Sequence, residues 1–355
     1  MANTSPLERV LRQNVAWNRA RINFLAKFLI ALIEVRTVNL GELANVFSGR
    51  AKPESHYKRI QRFLRFFELP YKEVALFVAR LVGAPSPWVL TLDRTDWYFG
   101  DTPINVMVLG IAHKGASFPV LWHVLEKKGC SNTSERIALT DEFLDLFGVK
   151  AIRYLCADRE FIGKEWFSYL VRKQIDFRIR VRANTRLTTR RGQKVAARRL
   201  FSNRPIGHAV ALAGARRLWG RDIYVAGIRL AGGDLLVVVA PHQSAEMIGE
   251  YAVRWEIETL FGCLKSRGFR MEQTHVTDPQ RLKRLVALLA LAFSWAHVIG
   301  EWLTQAKPLK TKKHGRMERS IFRHGFDYLR RILCSDTCKV KRLAFRQVIQ
   351  LLSCT

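Results

Sequence analysis

Four polar residues, Tyr251, Arg254, Glu258 and Lys265, lie three, four and seven positions apart in the run EYAVRWEIETLFGCLK, from Glu250 to Lys265. On a helix these spacings put all four on one face. Ile257, Leu260, Phe261 and Leu264 fill the other side, so such a helix docks on a core and still presents an acid flanked by an aromatic ring and two cations. A carboxylate held among cations suits a site where a metal meets a phosphate. An ordinary amphipathic helix with a solvated face gives the same spacing, with Arg254 and Glu258 as a simple i,i+4 pair.

Two aspartates upstream favour the chemical reading. Asp93 ends the apolar run Trp88 to Leu92, and Asp158 ends Ile152 to Ala157. Both runs read as strands, and acids at the carboxyl ends of sheet strands sit where sites open in α/β folds. A buried strand tolerates a carboxylate poorly unless it is paired or metal-bound. Two such strand ends and one polar-faced helix therefore suggest three carboxylates converging on a divalent metal, although an Asp after a strand is also a common turn residue.

These motifs resemble those of the DDE transposases of bacterial insertion sequences, in the insertion sequence four group that carries a Tyr-Arg-Glu-Lys signature. Tyr251, Arg254, Glu258 and Lys265 fit the signature, Trp255 fits the Trp usual after its Arg, and LTLDRTDWYFG and ADREF fit the two Asp motifs. The resemblance runs from about Asn14 to about Leu333 and includes SIFRHGFDYL at Ser320 to Leu329. It implies that Asp93, Asp158 and Glu258 are the catalytic triad and metal ligands. Asp96 and Glu160 are neighbouring acids off the motif positions, and Glu256 points off the signature face. Tyr251, Arg254 and Lys265 are implied as phosphate-binding residues, Arg by a fork and Lys as a point charge.

Charge points to the same partner. The chain has 59 Lys and Arg against 30 Asp and Glu, a formal charge of +29 in 355 residues. Such a basic excess in a chain that is 48% hydrophobic, with nine Trp, implies a folded protein that binds a polyanion. The six cysteines, at 130, 156, 263, 334, 338 and 354, show no zinc-like clustering and read as reduced thiols of a cytoplasmic protein. Polar residues fill the N-terminus before any apolar run, unlike a signal peptide. Leu285 to Ile299, the longest apolar stretch, is short for a bilayer span and reads as a buried helix, so no membrane partner is expected.

The elements that must position these residues follow from periodicity. Helical patterns cover Arg21 to Val35, Leu40 to Phe47, His56 to Phe67 and Tyr71 to Val82, an all-helical domain over 1–85. Its third helix carries Arg59, Arg62 and Arg65, read either as DNA contacts or as a solvated basic face. Strands Trp88 to Leu92, Ile104 to Ala112 and Phe118 to Leu125 follow, then helix Ser134 to Phe147, the strand ending at Asp158, helix Lys164 to Lys173 and strand Phe177 to Val181. The pattern is an α/β domain with a mixed sheet, and the resemblance makes it a ribonuclease-H-like catalytic core over 86–182 and 241–303.

One hundred positions separate Asp158 from Glu258, so an insertion is required. Residues 183–240 fill that place: Ala183 to Arg221 holds ten Lys or Arg and no acid, and strand patterns follow at Ile223 to Leu230 and Leu235 to Val239. The resemblance makes this a basic β-rich subdomain that holds the transposon end. Related enzymes stack a Trp from this region on a flipped base just before the last insertion strand. This chain departs from them, with no Trp just before its last insertion strand, Leu235 to Val239; Trp219 is the one Trp between 183 and 240, read either as a base-stacking residue or as core. Thr277-Asp-Pro279 starts a long helix through Trp302, and a basic helical region occupies 304–355, where Ile321 to Leu333 either docks back or pairs with a second subunit.

The resemblance further implies two Mg2+ ions, with Mn2+ as a possible substitute, and transposon-end and target DNA as partners. It implies a homodimer that holds two DNA ends, and a cut-and-paste reaction through a hairpin in the nucleoid-associated bacterial cytoplasm. A metal-dependent nuclease or resolvase of the same fold, and a catalytically silent DNA-binding relative, are the alternatives.

Overall fold

The computed structural model describes residues 4–313, 317–334 and 339–353. Five helices come first: α1 (Ser5–Asn14), α2 (Arg19–Val35), α3 (Leu40–Val46), α4 (Pro53–Phe66) and α5 (Tyr71–Val82). Side-chain caps start two of them, Asn18 accepting from Arg21 N–H and Asn39 from Gly41 and Glu42 N–H, which satisfies amide groups that a helix start leaves free. Helix α1 lies upstream of the first periodic segment. Its apolar face reduces to Leu7 and Leu11, too sparse a stripe to stand out in a charged N-terminus.

A meander follows, of β1 (Trp88–Phe99), β2 (Thr102–His113) and β3 (Ala116–Val124), then α6 (Thr133–Phe147), β4 (Ile152–Ala157), α7 (Lys164–Arg172) and β5 (Phe177–Val181). Residues 183–240 contain β6 (Arg186–Thr188), β7 (Lys194–Ala196), β8 (Val210–Ala211), β9 (Arg216–Leu218), β10 (Arg221–Arg229) and β11 (Leu235–Ala240). Beyond them lie α8 (Met247–Ala252), α9 (Trp255–Leu264), α10 (Pro279–Ala306), α11 (Ile321–Leu333) and α12 (Lys339–Gln350).

The strands form one sheet in the order β3-β2-β1-β4-β5-β11-β10-β9-β6-β7, with β8 on β10. Only β1 with β4 and β4 with β5 run parallel; every other pairing is antiparallel. The fold is thus a mixed α/β structure around a large, mostly antiparallel sheet. The basic excursion does not stand apart from this sheet: β11 pairs with β5 and carries the ladder outward into residues 183–240.

Helix α10 is the common strut. Asp278 caps it, accepting from Arg281 N–H, and it packs against β3, α2, α4, α5 and α11. It is long and apolar enough to cross a membrane, yet 83% of its most apolar window is buried in the fold. Trp295 on α10 donates to the Val348 carbonyl of α12, which fastens the C-terminal segment to the core. Cys130, Cys156, Cys263 and Cys334 are free thiols, and Cys338 and Cys354 lie outside the described residues.

The α10–α11 crossing depends on two glycines. A Cβ on Gly325 would lie 1.9 Å from the Ala296 carbonyl oxygen and 2.3 Å from the Gly300 nitrogen, and one on Gly300 would lie 1.9 Å from the Ile321 carbonyl oxygen. All three obstacles are backbone atoms, which cannot swing aside. Gly325→Ala is expected to destabilise the protein by at least about 1–3 kcal/mol, the usual overpacking cost, whereas Gly249→Ala, whose Cβ meets nothing closer than 3.8 Å, should change stability little. Equal urea midpoints for wild type and Gly325→Ala would show that the crossing is not this tight.

Candidate active site

Strand register brings the two aspartates together. In the parallel β1–β4 pair Leu92 lies opposite Ala157, so Asp93 and Asp158 follow side by side, on the same face, where β4 stops. Strand β1 does not stop there. It continues six residues to Phe99 against β2, with Asp93 opposite Val108, so Asp93 is a mid-strand residue rather than the strand end expected from the sequence. The continuation is amphipathic and polar, which hid it. The Asp93 side chain is 13% exposed, and burial pushes its carboxyl up to about 7.

The signature run forms two short helices, not one, with Tyr251 in α8, Glu258 in α9, Arg254 between them and Lys265 just past the end of α9. Between α8 and α9 the chain closes with i→i−3 bonds, from Arg254 N to Tyr251 O at 3.0 Å, Glu256 N to Val253 O at 3.0 Å and Ile257 N to Arg254 O at 3.2 Å. Val253 and Arg254 keep right-handed helical dihedrals, so the joint is a tightened turn, not a break in direction. Its cause lies in the packing. Met247 and Tyr251 bury against Ala226, Val238 and Ala240, while Ile257, Leu260, Phe261 and Leu264 bury in the main core, and one uniform helix would have to serve both.

Arg254 occupies the joint and holds the acids. Its Nη1 donates to Asp93 Oδ2 at 3.1 Å and to Glu258 Oε1 at 3.2 Å, with the side chain 4% exposed. The guanidinium carbon lies 4.5 Å from the Trp255 ring centroid, a cation–π contact that fixes its plane. Tyr251 OH donates to Asp158 Oδ1 at 3.5 Å, and burial pushes this phenol up, which keeps it a protonated donor. Arg180 of β5 stands 3.9 Å from Asp158. Glu258 is about half exposed. Asp93, Asp158 and Glu258 thus gather around Arg254 and Tyr251.

Lys265 lies at the far end of α9, donating to the Asp96 carbonyl at 3.0 Å and pairing with Glu272 at 3.0 Å. The neighbouring acids are engaged elsewhere. Arg94 pairs with Asp96 at 3.2 Å and takes Glu160 in a two-nitrogen fork; strand alternation sets Arg94 and Asp96 on the face opposite Asp93. Glu256 accepts from Gly115 N–H at 2.9 Å, and burial raises its pKa.

Of the α4 arginines, Arg62 and Arg65 are exposed, while Arg59 is half-buried near Lys27 and His56, whose pKa values it helps to lower after desolvation. A three-residue repeat drifts around a 3.6-residue helix, which is why the three do not share a face. Trp219 and Gly220, both at positive φ, connect β9 to β10, and the Trp219 ring packs edge-on against Phe167 at 5.3 Å while staying partly exposed. Arg180 was missed from the sequence, although the alternation of Arg178, Arg180 and Arg182 signals a basic strand face.

The donors suit a hard divalent cation. All three candidate ligands are carboxylates, and Asp93 remains displaced toward its neutral form even with Arg254 beside it, so one guanidinium does not satisfy its demand for positive charge. Among the described residues no three His, Cys, Asp or Glu side chains stand close enough together to hold a metal ion, and at the site itself the Arg254 guanidinium lies between Asp93 and Glu258.

Residues 85–295 match the family model of the transposase DDE domain, a span that contains all three carboxylates and more than half of the chain. The chain belongs to the transposase DDE domain family. Several solved structures resemble it. One, a cryo-EM structure of a piggyBac transposase synaptic complex with hairpin DNA, shares 12% identity over 97% of this chain and 80% of that one, with a TM-score of 0.48. No curated protein matches.

The carboxyl shift of this DDE domain has a measurable sign. Asp93 binds its proton more tightly folded than unfolded, so its contribution to stability is full below about pH 4 and is lost as pH rises through about 7. Without divalent ions, Asp93→Asn should therefore raise the Tm by roughly a few degrees at pH 8 and leave it nearly unchanged below pH 4. A substitution that lowers the Tm at pH 8 would contradict a strained, desolvated carboxylate.

Proposed function

We propose that the chain is a DNA transposase of the insertion sequence four group, which binds the terminal inverted repeats of its element, cuts at their ends and joins them to target DNA by a cut-and-paste route. The observation that carries this reading is the gathering of Asp93 and Glu258 on Arg254 beside Asp158, within the span matched by the transposase DDE domain. The Tyr251, Arg254, Glu258, Lys265 spacing supports the Tyr-Arg-Glu-Lys assignment.

The strand order β3-β2-β1-β4-β5, with β1, β4 and β5 parallel, supports a ribonuclease-H-like core over 86–182 and 241–303. In this reading residues 1–85 are a DNA-binding domain, 183–240 an insertion that holds the transposon end, and 304–355 a basic helical region. The +29 charge supports double-stranded DNA as partner. A reaction on two ends calls for a homodimer, and its place is the bacterial cytoplasm, with the nucleoid.

Asp93, Asp158 and Glu258 would hold two divalent ions, Mg2+ or Mn2+ in its stead, which activate an attacking oxygen and stabilise a leaving one in phosphodiester chemistry. Arg254 positions Asp93 and Glu258 and keeps their charges from repelling each other. Its Nε is buried and has no partner among the described residues. Tyr251 orients Asp158 from behind. Lys265, bonded to the Asp96 carbonyl of β1, adds a point charge on the DNA path. The reading includes a hairpin on the transposon end, with Trp219 as the residue for a flipped base.

The deciding experiment is Mg2+-dependent cleavage and joining of DNA bearing the element's own repeats. Wild type should do both, and Glu258→Gln should bind normally while losing each reaction by about 100-fold or more. Cleavage without joining would favour a nuclease of this fold, and binding without cleavage by wild type a silent relative. Arg254→Lys should also cut transposon ends well below the wild-type rate at moderate salt, since an ammonium cannot span Asp93 and Glu258 while keeping a second donor edge; wild-type rates would remove the positioning role.

A further inference from the structure

A polar cavity of about 380 Å³ lies where α3 and α4 meet the segment leading into α10. Its walls include Asn39, Tyr57, Gln61, His275, Asp278 and Arg281. The volume falls within the range of sites that enclose a small ligand, about 300–1,000 Å³. The chemistry of the walls is specific. Gln61 and Arg281 use no side-chain hydrogen bond or ion pair among the described residues. Asn39 spends only its Oδ1, on Gly41 and Glu42 N–H, which leaves its Nδ2 as a donor. Asp278 is committed through Oδ1 to the cap of α10. The His275 ring stacks on Phe99, with centroids 5.0 Å apart and planes 30° from parallel.

Amides that read base edges, aromatic rings that stack on base faces and an arginine for phosphate are the three devices by which proteins hold a nucleotide. The position fits as well. Phe99 is the last residue of β1, six residues beyond Asp93, which at about 3.4 Å per strand residue is about 20 Å. DNA advances about 3.4 Å per nucleotide, so a strand running from Asp93 along β1 reaches the cavity about six nucleotides on. There it meets the exposed side of α4, where Tyr57, Lys58, Gln61, Arg62 and Arg65 face outward.

We propose that this cavity is a subsite for one nucleotide of the bound DNA, with Gln61 and Asn39 on the base edge, the His275–Phe99 stack beside the base and Arg281 on the phosphate. It rests on the transposase reading and adds to it a contact that ties the N-terminal helices and the catalytic sheet to one DNA strand.

The test uses the full chain and duplexes bearing the terminal repeat, with one abasic site moved along the strand. Wild type should lose about tenfold in affinity when the missing base lies about six nucleotides from the cut bond. Gln61→Ala should bind the intact duplex about tenfold more weakly and no longer respond to that abasic position. Arg281→Ala should keep the abasic response and reduce the slope of log affinity against log salt by about one. Both side chains reach the surface, so unchanged Tm values should accompany these effects. A wild type whose affinity does not fall at that abasic position, or Gln61→Ala and Arg281→Ala variants that bind like wild type, overturn the subsite while leaving the transposase reading intact if wild type still cuts the repeat. Wild type that neither binds nor cuts the repeat overturns both.

Discussion

A buried guanidinium between two carboxylates is the constraint around which this protein is arranged. Taking Arg254 out of water costs several kcal/mol, and its partners recover that cost only when geometry is good and the remaining donors are met. Asp93 and Glu258 meet part of the need, and the faces of Trp255 and Tyr251 meet more. The tightened turn at Val253 and Arg254 puts the guanidinium there, and the two separate apolar clusters on either side of the turn hold it in place. Local backbone shape, core packing and candidate chemistry therefore meet in one residue.

The sheet supplies the second half of the arrangement. A parallel pair with Leu92 opposite Ala157 leaves no freedom in how Asp93 and Asp158 face each other, because a one-residue slip would turn one of them to the opposite side. That opposite side is already populated by Arg94, Asp96 and Glu160. Two charge clusters of different composition thus lie on the two faces of one strand: one beside Asp93, where three carboxylates meet Arg254 and Arg180, and one around Arg94.

Much of this was legible in the chain. The polar spacing from Tyr251 to Lys265, the apolar runs before Asp93 and Asp158, and the Asp-Pro start of α10 each rest on local rules, and the structure brings Tyr251, Arg254 and Glu258 together with Asp93 and Asp158. What could not be read depends on contacts between distant segments. The turn inside the signature helix arises because residues 247–251 and 257–264 serve different clusters. The length of β1 past Asp93 comes from its pairing with β2. Gly300 and Gly325 look unremarkable until two helices cross on them, and Gln61 and Arg281 lie 220 positions apart, so no local pattern links them.

The glycine crossing also bears on where this protein ends as a physical object. The segment that matches the transposase DDE domain stops at residue 295, inside α10, five residues before Gly300. Its α10 rests on β3 from within that segment but on α2, α4 and α5 before it and α11 after it. Cut out by itself, the matched piece would bare an apolar rod on several sides and would be prone to clump. The matched domain and the packed core are therefore different lengths of chain, and the helices on both sides of the match act as the sheet's outer wall.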